Sequence, residues 1–423
     1  MKDIMKTLGR APVAGGRRGI ASACTAHPIA IEAALRFGQR GGRAVLIEAT
    51  CNQVNQEGGY TGMTPAAFRR HVEAIAERVG FDPAELVLGG DHLGPNPWKS
   101  LAPDEAMTRA EAMVADYARA GFTKLHLDTS MGCAREGAAL PDEVTARRAA
   151  RLARVAEAAA PDREALSYVI GTEVPVPGGA LEALDHVEVT APEAARRTVA
   201  VHRAAFAALR LEAAFGRAVG VVVQPGVEFG NAEVVVYDRA KAAALAAVLP
   251  DLPGFVFEAH STDYQPAAAL SALVEDGFAI LKVGPALTFA LREALYGLDA
   301  MATALGWQDG TDSLFNALER LMLAEPGHWR KYYHGTADEL RLQRHFSYSD
   351  RIRYYWPHPA AQAAVARLLG RFGDRPIPAP LVSQYLAALY PALAEGRVAP
   401  RAADLCRAAV ARVLAHYDAA CQG

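Results

Sequence analysis

Cysteine is scarce. There are five in 423 residues (Cys24, Cys51, Cys133, Cys406 and Cys421), with no CxxC pair and no zinc-finger spacing. That excludes a disulfide framework and points to a reducing cytoplasm. An excess of charge of one sign is also missing. Lys plus Arg number 44 and Asp plus Glu 47, a formal net charge of −3. Without a basic block, neither nucleic acid nor an anionic membrane is an expected partner. No run reaches the ~18 uninterrupted apolar residues of a membrane span. The alanine-rich stretches are broken at short intervals by Arg, Glu or Asp. The opening residues, MKDIMKTLGRAPVAGGRR, carry charges and no clean apolar core, unlike a signal peptide. Glycine (36) and proline (25) are too scattered for collagen or a low-complexity linker. What remains is 51% hydrophobic and 22% charged, enough to bury a large core.

Short apolar runs ending in polar or glycine-rich turns organise the chain. Strands are expected near Ile20–Cys24 and Ala44–Ala49. Six more fall in AELVLGGDHLGPNPW, FTKLHLDTSMGC, ALSYVIGTEVPVPGG, AVGVVVQPGVEFG, PGFVFEAHSTDYQ and GFAILKVGPALTF. Helical patterns lie between them. One opens at Pro28 and stops at a glycine pair; another opens with Thr64 as cap and Pro65 in the first turn. Others cover Asp142–Ala160, Ala191–Phe215, Asp238–Val248 and Gln265–Glu275. Strand then helix, eight times, predicts an α/β chain with a (β/α)8 TIM barrel. A doubly wound sheet is the runner-up, but no GxGxxG or GxxxxGK[ST] follows the first strand. From Met301 the rhythm turns helical. We therefore expect a catalytic barrel over 1–300 and a helical extension packed on it over 301–423. The aromatic and basic stretch Trp329–Trp356 suits the barrel rim, an oligomer interface or ordinary packing.

Polar residues gather after nearly every strand, as on a catalytic barrel rim. Asp91 and His92 follow two glycines and precede a proline-stiffened loop. Alternation puts Lys124, His126 and Asp128 on one face of the fourth strand. Glu258 and His260 share a face of the seventh, with Ser261 and Asp263 following. Lys282 points inward on the eighth, Glu173 ends the fifth, and Gln224 ends the sixth. Glu48, Asn52 and Gln53 come from the second. Ionisable residues facing a barrel core need partners or a metal. Mixed His and carboxylate ligands suit zinc or manganese. His92, Glu173 and His260 are the expected ligands, with His126 as substitute. Asp91, Asp128, Glu258 and Lys282 are the expected catalytic groups. Glu48, Asn52, Gln53, Lys124, His126, Gln224, Ser261 and Asp263 are expected to bind substrate. Lys282 also keeps a metal-free Schiff-base aldolase in play. Cys24, Cys51 and Cys133 fall near strand ends and read as small buried fillers.

The motifs GGDHLGPNPW, KLHLDTSM, GTEVPVPGG, FEAHSTDYQ and LKVGPALTFALREALY resemble the so-called non-catalytic subunit of class II D-tagatose-1,6-bisphosphate aldolase, over nearly the whole chain. The resemblance implies a TIM barrel related to class II aldolases. In those, an Asp-His pair supplies a proton-transfer Asp and a metal-ligand His, here Asp91 and His92; His260 matches another ligand position. The glycine-serine and Asn-Asp-x-Ser phosphate motifs of the classical partner subunit have no clear counterpart. Some relatives are C4 epimerases of ketohexoses or tagaturonate. The expectation is a metal-dependent C4 epimerase of ketohexoses such as tagatose and fructose, using aldol chemistry and working as a homo-oligomer. The alternatives are a tagatose-1,6-bisphosphate aldolase, or an accessory subunit whose partner is a class II aldolase catalytic chain.

Overall fold

Eight parallel strands close into a barrel in the computed structural model, which describes residues 4–8, 18–172 and 187–422. They are β1 (Ile20–Cys24), β2 (Val45–Thr50), β3 (Leu86–Leu93), β4 (Lys124–Leu127), β5 (Ser167–Ile170), β6 (Ala218–Val223), β7 (Val256–Ala259) and β8 (Ile280–Val283). Each pairs with its sequence neighbour, and β8 closes onto β1 with Ile20 opposite Ile280. Each strand is followed by a helix, because a parallel pair needs a crossover. These are α1 (Pro28–Gly41), α2 (Pro65–Val79), α3 (Pro103–Arg119), α4 (Asp142–Ala159), α5 (Pro192–Ala208), α6 (Arg239–Ala246), α7 (Ala267–Glu275) and α8 (Pro285–Ala304).

The expected helix signals operate locally. Thr64 caps α2 by accepting from the Ala67 amide, with Pro65 at the first position. Such a cap contributes about 1 kcal/mol. α1 ends at Gly42, whose φ of 61° suits a residue without a Cβ. Two details escaped the sequence pattern. The helical stretch expected to Phe215 breaks after Ala208 and resumes over Glu212–Phe215. The loop after β6 makes a small antiparallel hairpin of Glu228–Phe229 with Val234–Val235.

Two apolar layers hold the barrel. The larger lies between strands and helices. The smaller fills one end of the interior, where Met5, Ile20, Leu46, Val169, Val222 and Ile280 meet. The short helix Ile4–Leu8 packs against that end. After α8 come α9 (Leu314–Ala324), α10 (Ala337–Phe346), α11 (Pro359–Phe372), α12 (Ala379–Tyr385) and α13 (Ala402–Gln422). α13 lies against α1, α7, α8 and β1, and the Gly19 amide donates to the Cys421 carbonyl at 3.0 Å. The last helix thus sits in the barrel's outer ring.

Candidate active site

Alternation along the strands converts one apolar end of the interior into a charged one. On β2, Leu46 is followed two residues later by Glu48; on β7, Val256 by Glu258; on β8, Ile280 by Lys282. A step of two residues advances about 6.6 Å on the same face. The register aligns Glu48, Gly89 and Lys124 across β2, β3 and β4. A Cβ on Gly89 would meet Glu48 Oε1 at 2.6 Å. Its absence lets Glu48 reach across β3 to Lys124 Nζ at 2.5 Å. Lys124 also meets Glu258 Oε2 at 2.8 Å, and Lys282 meets Glu48 Oε2 at 2.7 Å and pairs with Asp91. All five groups are buried. Burial works against the charge on Glu48 and Glu258, yet Lys124 and Lys282 outweigh it and hold both carboxyls below their usual range. Burial likewise works against Lys282, but Asp91 with Cys24, Glu48 and Glu258 holds it well above the usual lysine range. A lysine locked as ammonium is no Schiff-base nucleophile.

Above this layer stand three histidines, with ring centres 5.0, 4.9 and 5.1 Å apart. Regular pleating would send Asp91 and His92 to opposite faces of β3. Instead the pairing with β4 shifts between Gly90 and Leu93, and His92 adopts φ 48°. This bulge turns both side chains inward. Left-handed backbone at a non-glycine costs on the order of 1 kcal/mol, which the packed rim sustains.

Each ring is held by a carboxylate. His92 Nδ1 lies 2.8 Å from Asp128 Oδ2, His126 Nδ1 2.9 Å from Asp91 Oδ1, and His260 Nε2 2.9 Å from Glu258 Oε1. His126 Nδ1 is also 3.2 Å from the His92 amide. One nitrogen cannot donate and accept at once, so we place its proton toward the ionised carboxylate. That leaves His92 Nε2, His126 Nε2 and His260 Nδ1 as the ring nitrogens not engaged by these carboxylates. Buried Nε2 of His126 has no hydrogen-bond partner among the described residues. Burial holds His260 down to about 3, hence neutral, while Asp91 and Asp128 outweigh burial and raise His92. Single ligand atoms of Asp91, His92, His126 and His260 lie within 4.8 Å of one another. Imidazoles with carboxylates behind them have the donor chemistry of a divalent metal site. Asp128 is pulled down to about 2: burial opposes this, but His92 and His126 outweigh it.

A cavity of about 90 Å³ opens onto the cluster, with Asp91, His92, His260 and Lys282 on its wall. Asn52, Gln53, Ser261 and Asp263 also line it, as expected of substrate contacts. Other expected residues stand elsewhere. Glu48, Lys124 and Glu258 lie in the charged layer away from the wall, and Asp128 stands behind His92. Gln224 turns onto its own loop, where Oε1 accepts from the amides of Gly226 and Val227 at 2.8 and 2.9 Å. Glu173 falls outside the described residues, and His126 completes the described histidine cluster in its stead. The sequence reading missed Tyr60 and Tyr354, whose rings meet at 4.6 Å on the wall, and Arg353 beside them. Only the aromatic and basic character of Trp329–Trp356 signalled the last two. Cys24 also reaches the wall, 3.6 Å from Glu48 Oε2, and burial pushes its thiol well up.

Comparison with known proteins agrees with this architecture. D-tagatose 6-phosphate 4-epimerase of Agrobacterium fabrum is 52% identical over 422 residues, which is 99% of each chain. The crystal structure of a probable tagatose 6 phosphate kinase from Sinorhizobium meliloti 1021 is 60% identical, with a TM-score of 0.90. The match covers 95% of this chain and 100% of that one. Residues 5–422 match the model of a single family. By that match, this chain belongs to the D-tagatose-1,6-bisphosphate aldolase subunit GatZ/KbaZ-like family.

Proposed function

We propose that this chain is an epimerase inverting C4 of a ketohexose 6-phosphate, interconverting D-tagatose 6-phosphate and D-fructose 6-phosphate. The carrying observation is the cluster of three carboxylate-backed histidines at a cavity walled by Asp91 and Lys282. The 52% identity to a named epimerase of that substrate supports it and favours the phosphorylated sugar over the free one. The histidines would hold a divalent ion, zinc or manganese, which when bound supplies Lewis-acid polarisation of sugar oxygens.

C4 is not adjacent to the C2 carbonyl, so enolisation alone cannot invert it. Cleavage of C3–C4 can. In this reading Asp91 takes the proton of the C4 hydroxyl as that bond breaks, and the electron pair stays on the three-carbon enediolate. The aldehyde turns over, the bond re-forms on its other face, and Asp91 returns the proton. Lys282 keeps Asp91 ionised and places positive charge beside the developing enediolate. Glu258 and Asp128 orient His260 and His92. The barrel of 1–300 carries the chemistry, and 301–423 completes its walls. We further propose that the chain needs no different subunit, forms a homo-oligomer, and works in the cytoplasm, where its five free cysteines stay reduced.

The test is the lone purified chain, supplied with manganese or zinc and D-tagatose 6-phosphate, followed by chromatography. D-fructose 6-phosphate should appear, and Asp91→Asn and a chelator should abolish it. Accumulation of free three-carbon products would support an aldolase instead. Activity only after adding a class II aldolase chain would support the accessory subunit.

A further inference from the structure

Residues 347–356 belong to the helical extension, yet they are stitched onto the barrel mouth. Ser347 and Ser349 donate to Asn231 Oδ1 at 2.8 and 3.1 Å, in the hairpin after β6. Tyr264, after β7, donates its hydroxyl to the Tyr348 carbonyl at 2.7 Å. Buried Asp350 accepts from Thr288 at 2.6 Å and Arg292 at 3.4 Å, both on α8. These ties deliver Arg353 to the cavity wall.

Its guanidinium donates to the carbonyls of Ser349 and Asp350 and to the Tyr354 hydroxyl. Among the described residues it has no carboxylate partner in an ion pair. Lys282, the other Lys or Arg on that wall, is matched by Glu48 and Asp91. Arg353 is thus a cation on the cavity wall that no carboxylate of the described residues grips directly, Asp263 across the wall and Asp350 on its own turn acting on it only from a distance.

The place where a barrel would more often hold a phosphate is already filled. That place is the start of the helix after β8. Here Asp263 Oδ1 accepts from the Gly284 amide at 2.9 Å and the Ala286 amide at 2.8 Å. Thr262, in the loop after β7, is likewise engaged, donating its hydroxyl to the Lys282 carbonyl at 2.6 Å. A carboxylate on the helix start repels a second anion. Arg353 also lines a second cavity of about 460 Å³, which shares Cys24, Gln53, Tyr60 and Gly284 with the first. An anion gripped there would sit where the two spaces meet.

We propose that Arg353, steadied by Tyr354, binds the terminal phosphate of the sugar and sets the preference for phosphorylated over free ketohexose. This rests on the epimerase reading for the identity of the sugar. A planar guanidinium suits a phosphate through paired, charge-assisted hydrogen bonds. The same grip keeps the three-carbon aldehyde phosphate in place after C3–C4 cleavage while its carbonyl turns.

The experiment compares wild type, Arg353→Gln and Arg353→Lys on D-tagatose 6-phosphate and free D-tagatose. Circular dichroism and melting check the fold. The preference for the phosphorylated sugar, as a ratio of kcat/KM values, should fall about 100-fold in Arg353→Gln, mainly through KM. Arg353→Lys should recover part of it, and inorganic phosphate should inhibit wild type far better than Arg353→Gln. An equal loss on both sugars, or an unchanged ratio, would overturn the assignment. Calorimetry with D-fructose 6-phosphate, D-fructose and inorganic phosphate reads the same preference without turnover. If wild type converts neither sugar yet binds the phosphorylated one through Arg353, the epimerase reading fails and this one stands. Equal binding by wild type and Arg353→Gln sinks it.

Discussion

The two ends of the barrel interior are built from the same strands and have opposite character. At one end Ile20, Leu46, Val169, Val222 and Ile280 pack as an apolar plug. At the other, one pleat further along, Glu48, Lys124, Glu258 and Lys282 form a buried ionic layer beneath three histidines. A plug stabilises by removing apolar surface from water, and a methylene there is worth about 1 kcal/mol. An ionic layer gives little net stability, because desolvating each charge offsets the attraction. Its presence is explained by chemistry: it fixes the protonation and aim of the groups above it. Substitutions at the two ends should therefore fail in different ways.

The largest effect should come from the histidines. His126→Ala should lower activity by about 1,000-fold, the scale of several kcal/mol of lost polarisation. Elemental analysis should show bound metal falling from near one per chain toward none, with the fold retained. Full metal content in that variant would separate His126 from the site. Next in size is Lys124→Met, which removes the buried cation between Glu48 and Glu258 and leaves Lys282 alone to serve both. It should cost about 3–5 kcal/mol in denaturant unfolding. A loss below about 1 kcal/mol would mean the layer is not coupled as drawn.

How much of this was legible beforehand follows from periodicity. Period-two alternation correctly placed Lys124 with His126 and Glu258 with His260 inside, because β4 and β7 are regular. It could not bring Asp91 and His92 to one side, since that depends on the bulge at His92. Nor could it see that Gln224 serves its own turn, a use that depends on the loop's path. Arg353 was hidden for another reason. It lies over 60 residues beyond β8, and only tertiary ties at Asn231, Tyr264 and Thr288 bring it to the rim. The eight strand and helix units were readable because each carries its own caps and apolar runs.

Smaller perturbations sharpen the contrast. Ile280→Val at the plug should cost about 1 kcal/mol of stability and leave kcat/KM nearly unchanged. A large activity loss there would show that the two ends are mechanically coupled. An effect confined to one pH window concerns Asp263, whose carboxyl burial raises from 3.8 to about 6. The folded state then binds more protons than the unfolded one between those values, so this group's contribution to stability falls as pH rises through the window. Asp263→Asn keeps an acceptor for the Gly284 and Ala286 amides and removes the titration. Relative to wild type it should gain stability from about pH 4 to about pH 7, by denaturant melts at each pH. A difference that stays flat would place the carboxyl in a more hydrated setting.

The central claim is that the charged end inverts C4 by breaking and remaking C3–C4. Its most direct test is the lone metal-loaded chain with D-tagatose 6-phosphate in deuterated water, followed by proton and carbon NMR. The account predicts D-fructose 6-phosphate with its C4 hydrogen retained, because that hydrogen stays on the aldehyde carbon throughout. Deuterium appearing at C4, or no conversion at all by the folded, metal-loaded chain, would contradict it.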